Sequence, residues 1–302
     1  MTTSAEGLHG GGRERRRARY GTSSWTARGW DGAFYPRGLP AGEQLGFYAT
    51  QFDTVEADVT YYRVPDARLA GGWERKTPEG FRLSAKFPRS IVHGGEAEKP
   101  DPARVLVPDA VWGDVERFLE SMSLLGAKCG PLVLQFPYFN RGAFEGPEPF
   151  LERLERFLER LPDSFRYGVE VRNRAWIGEP LLALLRRRRC ALVWVDIAYM
   201  PHPCDLGSAA DLITADFAYA RLIGDRKKVE AITTTFDRIV VDCRPRLERW
   251  AAMLREALER VPEVYVYANN HYAGFAPATI RELEALVGDR GPNPSEASPR
   301  PR

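Results

Sequence analysis

The stretch VYVYANNHYAGFAP, residues 264–277, begins as an apolar strand and ends abruptly in two amides, an imidazole and a phenol. Seven segments before it share the apolar, strand-like character, so it completes a set of eight. Longer stretches with apolar residues at helical spacing separate the strands, which is typical of repeated βα units around a parallel sheet. No ninth strand is evident. The sequence therefore predicts a single α/β domain, a (β/α)8 TIM-barrel-like fold, rather than an open doubly wound sheet.

The positions of the predicted elements follow from these patterns. Apolar runs predict strands at 19–24, 54–59, 81–87, 131–137, 166–172, 191–196, 218–224 and 264–270. Apolar residues at i, i+3, i+4 and i+7 predict helices at 111–126, 147–162, 178–189 and 244–262. Extended loops are expected after strands three and seven, at 93–109 and 225–243. Such loops usually carry function in a barrel. Segment 197–217 is too rich in Pro and Gly to predict a regular sixth helix.

Size and composition limit the classes of protein. With 302 residues, 44% apolar and 28% charged, the chain has ample material for the core of one large barrel. No segment approaches the roughly 18–20 apolar residues of a membrane span, and no signal-peptide pattern begins the chain. A cytoplasmic protein without membrane contact is therefore expected. The four cysteines are widely and irregularly spaced, which favours reduced, structural thiols over a zinc site or a disulfide framework.

The two ends of the chain differ from the rest. Residues 1–19, rich in Gly, Ser and Arg, are expected to form a disordered arm, and residues 289–302 a disordered tail. The barrel is then expected over residues 20–288. Residues 1–20 carry a net charge of +3 and residues 289–302 of +1, within a total of +2. The barrel is therefore close to neutral and lacks the basic footprint of a nucleic-acid-binding domain, although the arm could touch phosphates nonspecifically.

Polar side chains lie at the end of almost every predicted strand. The carboxyl ends of barrel strands form one face, where catalytic residues lie. The predicted polar set on this face is Thr22, Ser23, Glu56, Asp58, Lys86, Gln135, Glu170, Arg172, Asp196, Arg221, Asn269 and Asn270. Burying such charges is unfavourable unless they are paired or used. The set is therefore either a structural ion network that caps the core or an active site.

As an active site, this set favours an anionic ligand. Arg172, Arg221 and Lys86 would hold a phosphate or carboxylate group, because guanidinium offers a planar fork of donors. The predicted catalytic residues are Glu170, Glu56 and Lys86, with a glutamate as general acid or base. The predicted substrate-binding residues are Arg172, Arg221, Asn269, Asn270, Gln135, Asp196, Ser23, Trp25, Tyr62 and Trp176. The aromatic residues among them could stack on a sugar or a base, or pack beneath the long loops.

A divalent metal is not favoured by these residues, and no metal site is predicted. His271 falls at a predicted strand end but has no histidine partner there, so a His-rich zinc cluster is not expected. Glu56, Asp58, Glu170 and Asp196 could present oxygens to magnesium, manganese or calcium. Basic neighbours are nevertheless expected to pair with several of them. The sequence leaves the cofactor open, and His271 could equally fix its loop or shuttle protons.

Seven segments occur in the order in which they are found in a known family. They are GTSSWTARGWDGAFYP, FYATQFDTVEADVTYYRVP, TPEGFRLSAKFPRSIVH, GPLVLQFP, YGVEVRNRAW, YARLIGDR and VYVYANNHYAGFAP. Together, from about residue 20 to residue 286, they resemble the YecE-like proteins, classed as domain of unknown function 72. The resemblance implies a TIM-barrel-like fold and a polar pocket at the strand ends, and it implies no activity.

The chain departs from the family's usual pattern at three positions. Asp58 stands where the family commonly has Asn, and Asn173 and Ile223 stand where it commonly has His. These departures remove imidazoles and weaken any mechanism that needs a histidine base at those positions. The residues shared with the family that could carry chemistry are Glu56, Lys86, Glu170, Arg172 and Arg221.

Three functions fit the pattern. The favoured one is an enzyme, a hydrolase or lyase, that acts on an anionic, phosphate-bearing substrate at the carboxyl face of the barrel. The second is a noncatalytic nucleic-acid or nucleotide-binding protein, which the near-neutral barrel disfavours. The third is a glycosidase-type hydrolase using Glu56 and Glu170, which the nearby cations disfavour. The expected partner is an anionic small molecule or a nucleic-acid fragment, and the oligomeric state is not predicted.

Overall fold

Eight parallel strands form a nearly closed barrel in the computed structural model, which describes residues 16–208 and 210–288. The strands are β1 (Arg17–Thr22), β2 (Thr54–Ala57), β3 (Arg82–Lys86), β4 (Cys129–Gln135), β5 (Tyr167–Glu170), β6 (Ala191–Ile197), β7 (Phe217–Gly224) and β8 (Glu263–Ala268). Their order in the sheet is β1-β8-β7-β6-β5-β4-β3-β2. Helices connect the strands, so the predicted (β/α)8 fold is confirmed.

Helices of very different lengths cover the barrel. In chain order they are α1 (Ala41–Gln51), α2 (Ala67–Lys76), α3 (Arg89–Val92), α4 (Pro108–Ser123), α5 (Pro147–Arg160), α6 (Glu179–Arg187), α7 (Pro203–Gly207), α8 (Arg226–Glu230), α9 (Arg244–Arg260), α10 (Asn270–Ala273) and α11 (Ala276–Val287). The four predicted helices correspond to α4, α5, α6 and α9. Between β6 and β7 the described residues form a single helix, the five-residue α7, as the Pro- and Gly-rich sequence indicates.

Two predicted boundaries are wrong at the start of the barrel. Strand β1 begins at Arg17, so the arm predicted for residues 1–19 overlaps the first strand by three residues. Arg17 and Arg19 alternate with the apolar Ala18 and Tyr20, which is strand periodicity despite the charge. Strand β2 ends at Ala57 rather than at residue 59, because a short 3₁₀ helix follows. Residues 1–15 and 289–302, the rest of the predicted arm and tail, lie outside the described residues.

Side chains close the barrel where β1 meets β2, since no main-chain ladder joins these two strands among the described residues. The main-chain N–H of Tyr20 donates to the Asp53 carboxylate at 3.2 Å, and the N–H of Thr22 donates to the Tyr48 hydroxyl at 2.8 Å. The backbones also approach closely. A Cβ on Gly21 would lie 2.1 Å from the main-chain oxygen of Thr54, so only glycine fits there.

A layer of tyrosines fills the middle of the barrel and separates its two ends. Tyr219, Tyr265 and Tyr267 are all fully buried and pack with Val133 and Val193. The Tyr267 hydroxyl lies 2.6 Å from the hydroxyl of Thr54 and 2.8 Å from that of Ser84, across the barrel. Buried polar groups need such partners. The interior is therefore a hydrogen-bonded plug rather than the purely aliphatic core common in barrels of this kind.

The state of the cysteines and the length of the helices agree with what the composition indicates. Cys129, Cys190, Cys204 and Cys243 are all free thiols. Burial raises the pKa of Cys129 and Cys190 to about 12, so both thiols stay protonated at neutral pH. No helix in the described part of the chain is long and apolar enough to span a membrane.

Candidate functional site

Five polar side chains meet inside the barrel at the carboxyl ends of the strands. Each comes from an inward-facing position near the carboxyl end of a strand, because alternate residues of a strand point to opposite faces. They are Glu56 on β2, Lys86 on β3, Gln135 on β4, Glu170 on β5 and Arg221 on β7. All five are buried. The structure brings these five side chains together at one face of the barrel.

Arg221 lies at the centre of this group and binds three partners. Its Nε and Nη2 donate to Glu56 Oε1 at 3.1 and 2.8 Å. Its Nη1 donates to Gln135 Oε1 at 2.7 Å and also to the carboxylate of Glu170. Only 2% of the Arg221 side chain is exposed. Because its donors are already engaged by the protein, Arg221 acts as an internal counterion that holds two carboxylates in place.

Both glutamates of this group remain ionised. Burial alone would raise the pKa of Glu170, but the charges of Arg221 and Arg172 lower it to about 2. Burial likewise opposes ionisation of Glu56, and Arg221 and Lys86 overcome it, so its pKa is also lowered. The Tyr219 hydroxyl donates to Glu56 Oε2 at 2.7 Å. A carboxylate with such a low pKa is a weak base, so both glutamates are better suited to electrostatic support than to proton transfer.

Stability should fall as the pH drops from about 4.5 towards 2. The pKa of Glu170 is about 2 in the folded chain, against an ordinary value of 4.5. Its contribution is therefore complete above pH 4.5 and is lost towards pH 2; it amounts to about 3 kcal/mol. Urea unfolding at a series of pH values checks this. Glu170→Gln should show a shallower dependence, and an equally steep one would mean that Glu170 does not titrate in this range.

Lys86 completes the inner network from the side of β3. Its Nζ lies 3.6 Å from Glu56 Oε1 and forms an ion pair with Asp58. Burial raises the pKa of Asp58, and the Lys86 charge opposes that effect. Asp58 stands in the short 3₁₀ helix after β2. Lys86 is therefore engaged by two carboxylates.

Arg172 and Arg89 are two cations of this region that retain free hydrogen-bond donors. Arg172 Nε donates to Glu170 Oε1 at 3.0 Å, and 21% of the Arg172 side chain is exposed. Its two terminal nitrogens have no hydrogen-bond acceptor among the described residues. Arg89, the first residue of α3, has none there either, and its Nε is buried. The two guanidinium groups therefore provide unfilled donors to an incoming anion.

A hydrogen-bonded Tyr61–His93 pair lies beside these two arginines. The Tyr61 hydroxyl is 2.7 Å from His93 Nε2, and Lys86 Nζ lies 5.9 Å from the centre of the Tyr61 ring. Burial raises the pKa of Tyr61 and lowers that of His93, and the charges of Arg172 and Arg89 act on both groups. Both side chains are therefore neutral at pH 7. Arg89 and His93 were not predicted as site residues, since neither lies at a strand end.

Asp196 does not join this group, and its predicted position is wrong. Val193 packs in the barrel interior, so Asp196, three residues further along the strand, faces the surrounding helices. There it accepts hydrogen bonds from Arg246 Nε at 3.3 Å, Trp250 Nε1 at 3.1 Å and the Tyr272 hydroxyl at 2.9 Å. Asp196 thus anchors α9 and the segment after β8 to the barrel wall.

Two predicted aromatic contacts also lie outside the mouth of the barrel. Trp176 is buried and stacks on Phe139 with ring centres 5.9 Å apart. Trp25 packs edge-on against Trp73 of α2 at 5.7 Å. Both rings stabilise loops against the helical layer, which corrects their predicted position at the pocket rim. Tyr62 differs, because 64% of it is exposed directly after the 3₁₀ helix that carries Asp58.

The asparagine side chains after β8 mainly hold the local backbone in its conformation. Asn269 Oδ1 accepts the main-chain N–H of His271 at 3.0 Å, and Asn270 Oδ1 accepts that of Ala276 at 3.0 Å. These bonds cap α10 and hold the turn that leads into α11. The imidazole of His271 contacts Asn269 at 2.8 Å and Glu230 at 3.1 Å. His271 therefore fixes its loop, one of the two roles considered for it.

Ser23 contributes a free hydroxyl to the same end of the barrel. It follows β1 in the inward-facing phase of Gly21, whose register partner is the interior Tyr267. Its Oγ is buried and has no hydrogen-bond partner among the described residues. A buried hydroxyl without a partner is unfavourable, so it is available to a ligand.

No three His, Cys, Asp or Glu side chains among residues 16–208 and 210–288 are arranged to hold a metal ion. The carboxylates that could present oxygens are already paired: Glu56 and Glu170 with Arg221, and Asp58 with Lys86. Metal binding would have to displace these cations.

Comparison with known proteins identifies the family to which the chain belongs. The family described as "Protein of unknown function DUF72" matches residues 19–302. The chain belongs to the DUF72 family. Two relatives are UPF0759 protein YecE of Escherichia coli, 35% identical over 126 residues, and UPF0759 protein YunF of Bacillus subtilis, 22% identical over 264 residues. The YecE alignment spans 42% of this chain and 40% of YecE, whereas the YunF alignment spans 84% of this chain and 90% of YunF.

Solved structures show the same fold. A DUF72 protein from Thermotoga maritima is 25% identical with a TM-score of 0.67, and the match covers 90% of this chain and 99% of that one. D-allulose 3-epimerase from a Methylomonas species, solved with D-allulose, is 14% identical with a TM-score of 0.50. That match covers 83% of this chain and 84% of the epimerase, and it reflects the barrel fold alone.

Proposed function

We propose that this DUF72 protein is an enzyme that acts on a small phosphate-bearing substrate at the carboxyl face of its barrel. The observation that carries the proposal is the pair of guanidinium groups, Arg172 and Arg89, whose free donors lie next to a Tyr–His pair. Arginine suits the planar, multidentate oxygens of phosphate. The reaction class is hydrolysis or elimination, since the site offers cations for the phosphate and a neutral pair for proton transfer.

The inner network supports this role by holding Arg172. Glu170 is buried and ionised, and it accepts from both Arg221 and Arg172. Arg221 thus orients Glu170, and Glu170 in turn orients the Arg172 guanidinium towards the mouth. Such preorganised charges stabilise a developing anion without rearranging during the reaction. In this proposal Glu56 and Glu170 position other groups, whereas the sequence pattern alone favours them as general acid or base.

Proton transfer is assigned to Tyr61 and His93. The 2.7 Å contact lets the phenol donate to His93 Nε2, or lets a protonated Nε2 donate to the phenol oxygen. A neutral imidazole next to two guanidinium groups can accept a proton only weakly in the empty site. A bound phosphate dianion would offset those positive charges and raise the pKa of His93. Substrate binding would thereby make His93 a better base.

Two other functions have less support. A glycosidase built on Glu56 and Glu170 needs one protonated carboxyl group, but Arg221 bridges the two and keeps both ionised. Nucleic-acid binding would use the same cations, so nucleic-acid fragments remain candidates for the substrate. Their sugar-phosphate backbone offers the phosphate that Arg172 and Arg89 would hold.

Removing either of the two arginines that retain free donors should abolish phosphate-ester turnover and weaken binding. We expect Arg172→Ala and Arg89→Ala each to weaken binding of a phosphate-bearing substrate at least about tenfold, because each removes charge-assisted hydrogen bonds. The measurement screens the wild-type protein for turnover of phosphate esters, sugar phosphates and short nucleic acids. Calorimetric titration of the variants with the best substrate follows.

Arg117→Ala serves as the matched control, because Arg117 is an exposed helical arginine paired only with Asp114 in the described structure. It should bind and turn over substrate as the wild type does. Tyr61→Phe and His93→Gln should reduce turnover more than binding. Turnover that survives in both arginine variants would refute the assignment. Binding without any turnover across the panel would instead favour the noncatalytic alternative.

A further inference from the structure

A cavity lies at the end of the barrel opposite the candidate active site. It has a volume of about 750 Å³ and opens where the strands begin. Its wall contains four arginines, Arg17, Arg19, Arg82 and Arg166, and a single carboxylate, Glu263. The amino-terminal end of a TIM barrel ordinarily serves stability and is closed by packed side chains. An open, arginine-lined cavity there requires another explanation.

All four arginines lie in a strand or directly before one. Arg19 pairs in register with Tyr265, a residue of the barrel interior, so it points inward. Arg82 lies two residues before Ser84, whose hydroxyl meets Tyr267 in the interior. Arg166 immediately precedes β5 and contacts Glu263 at 2.6 Å. The barrel axis is therefore surrounded by guanidinium groups at this end.

The nearby acids do not balance these cations. Glu263 is shared between Arg19 and Arg166 and also accepts from the Tyr265 hydroxyl at 2.7 Å. Arg82 has no carboxylate partner among the described residues, and its Nη1 donates only to main-chain oxygens, that of Phe81 at 3.1 Å among them. Positive charge without a local acid attracts anions, the more so in a concave site with low-dielectric walls.

Asp53 and Asp216 lie outside the wall of the cavity. Asp53 pairs with Arg17 beside β1 and lies 3.8 Å from Arg19 Nη1, and Asp216 is an exposed residue 3.6 Å from Arg166, so Arg82 is the arginine of the wall left without a carboxylate in the described part of the chain. Small residues in the wall keep the space open: Ser123, Gly126, Ala127, Gly130 and Ser164. Cavities of about 300–1,000 Å³ accommodate ligands of nucleotide or drug size. A single chloride or phosphate would leave most of this volume unfilled.

We propose that this cavity is a second binding site, for a small molecule that carries two or more negative charges. Phosphate and carboxylate groups would pair with Arg82 and Arg166, which retain free donors, while the serine hydroxyls bind polar groups on the rest of the ligand. Phe165 and Tyr265 add aromatic surface to the same wall. The site is independent of the proposed active site, because the tyrosine layer separates the two ends of the barrel.

Calorimetric titration of the full chain with ADP, inorganic pyrophosphate and citrate tests this site. At least one probe should bind with a stoichiometry near one. Arg82→Gln and Arg166→Gln should each weaken that binding about tenfold or more. Arg172→Ala, at the opposite end of the barrel, and Arg117→Ala, on the surface of α4, should leave it unchanged. A preference for pyrophosphate and ADP over citrate would identify phosphate as the favoured group.

Several results would overturn the proposal. One is a failure of all three probes to bind at millimolar concentration. Another is equal binding by the wild type and both glutamine variants. Loss of binding in Arg172→Ala alone would show that the ligand binds at the carboxyl end of the barrel instead. Arg166→Lys guards against misfolding, because it keeps the charge beside Glu263 and should retain part of the affinity. Thermal unfolding of each variant confirms that it is folded under the titration conditions.

Discussion

Replacing Arg221 with Met is expected to lower the free energy of unfolding by about 3–5 kcal/mol, the usual effect of removing one partner of a buried ion pair. The effect is large because two carboxylates, Glu56 and Glu170, would lose their shared counterion inside the barrel. Neither side chain can reach water, since both are fully buried. Met matches the arginine stem in shape, so the lost charge rather than a cavity dominates. Chemical denaturation at pH 7 provides the measurement.

A triple variant in which the network carries no charge on these three residues is the comparison for Arg221→Met. Adding Glu56→Gln and Glu170→Gln to Arg221→Met removes the uncompensated charges and should recover part of the lost stability. Arg117→Met, a substitution in an exposed pair, should change the free energy of unfolding by less than about 1 kcal/mol. If Arg221→Met also falls within that range, the carboxylates must be accommodated in some other way, and Arg221 is not the structural centre of the site.

Gly21→Ala is expected to destabilise the protein by about 3 kcal/mol, at the upper end of the usual range for overpacking. The added methyl group would lie 2.1 Å from the main-chain oxygen of Thr54, and a backbone atom cannot move aside as the end of a flexible side chain can. Strands β1 and β2 would have to separate, which would strain the bonds from Tyr20 to Asp53 and from Thr22 to Tyr48. Thermal and denaturant unfolding would measure the loss.

Gly72→Ala is the matched control, because the same substitution in α2 places its methyl group in open space. Alanine has the higher helix propensity, so this variant should be more stable by about 0.5–1 kcal/mol. Equal behaviour of the two alanine variants would show that the β1–β2 contact can open without penalty.

The fold was predictable because its signals are local and repeated. Each strand is a short apolar run, and the four strongest helices have clear periodicity, so their order suffices to predict a barrel. Helix α2 escaped prediction because Gly71 and Gly72 interrupt its pattern. The start of β1 was misplaced because Arg17 and Arg19 resemble a charged arm when their inward partners on β8 are not known.

Only part of the candidate site was predictable. The inward polar residues at the ends of β2, β3, β4, β5 and β7 could be identified because position along a strand determines position in a barrel. Asp196 was misassigned because a strand end does not reveal which face its last residue takes. His93 and Arg89 were missed because they approach the mouth from the segment after β3, whose path depends on tertiary packing.

The side-chain closure between β1 and β2 has a consequence for the synthesis of the protein. The main-chain partner of β1 is β8, which lies at the other end of the chain. At about 5–20 residues per second, a ribosome needs on the order of tens of seconds to translate the intervening segment. During that interval neither edge of β1 has a main-chain hydrogen-bond partner from another strand. The last strand to be made is thus the one that lets the first complete its hydrogen bonding.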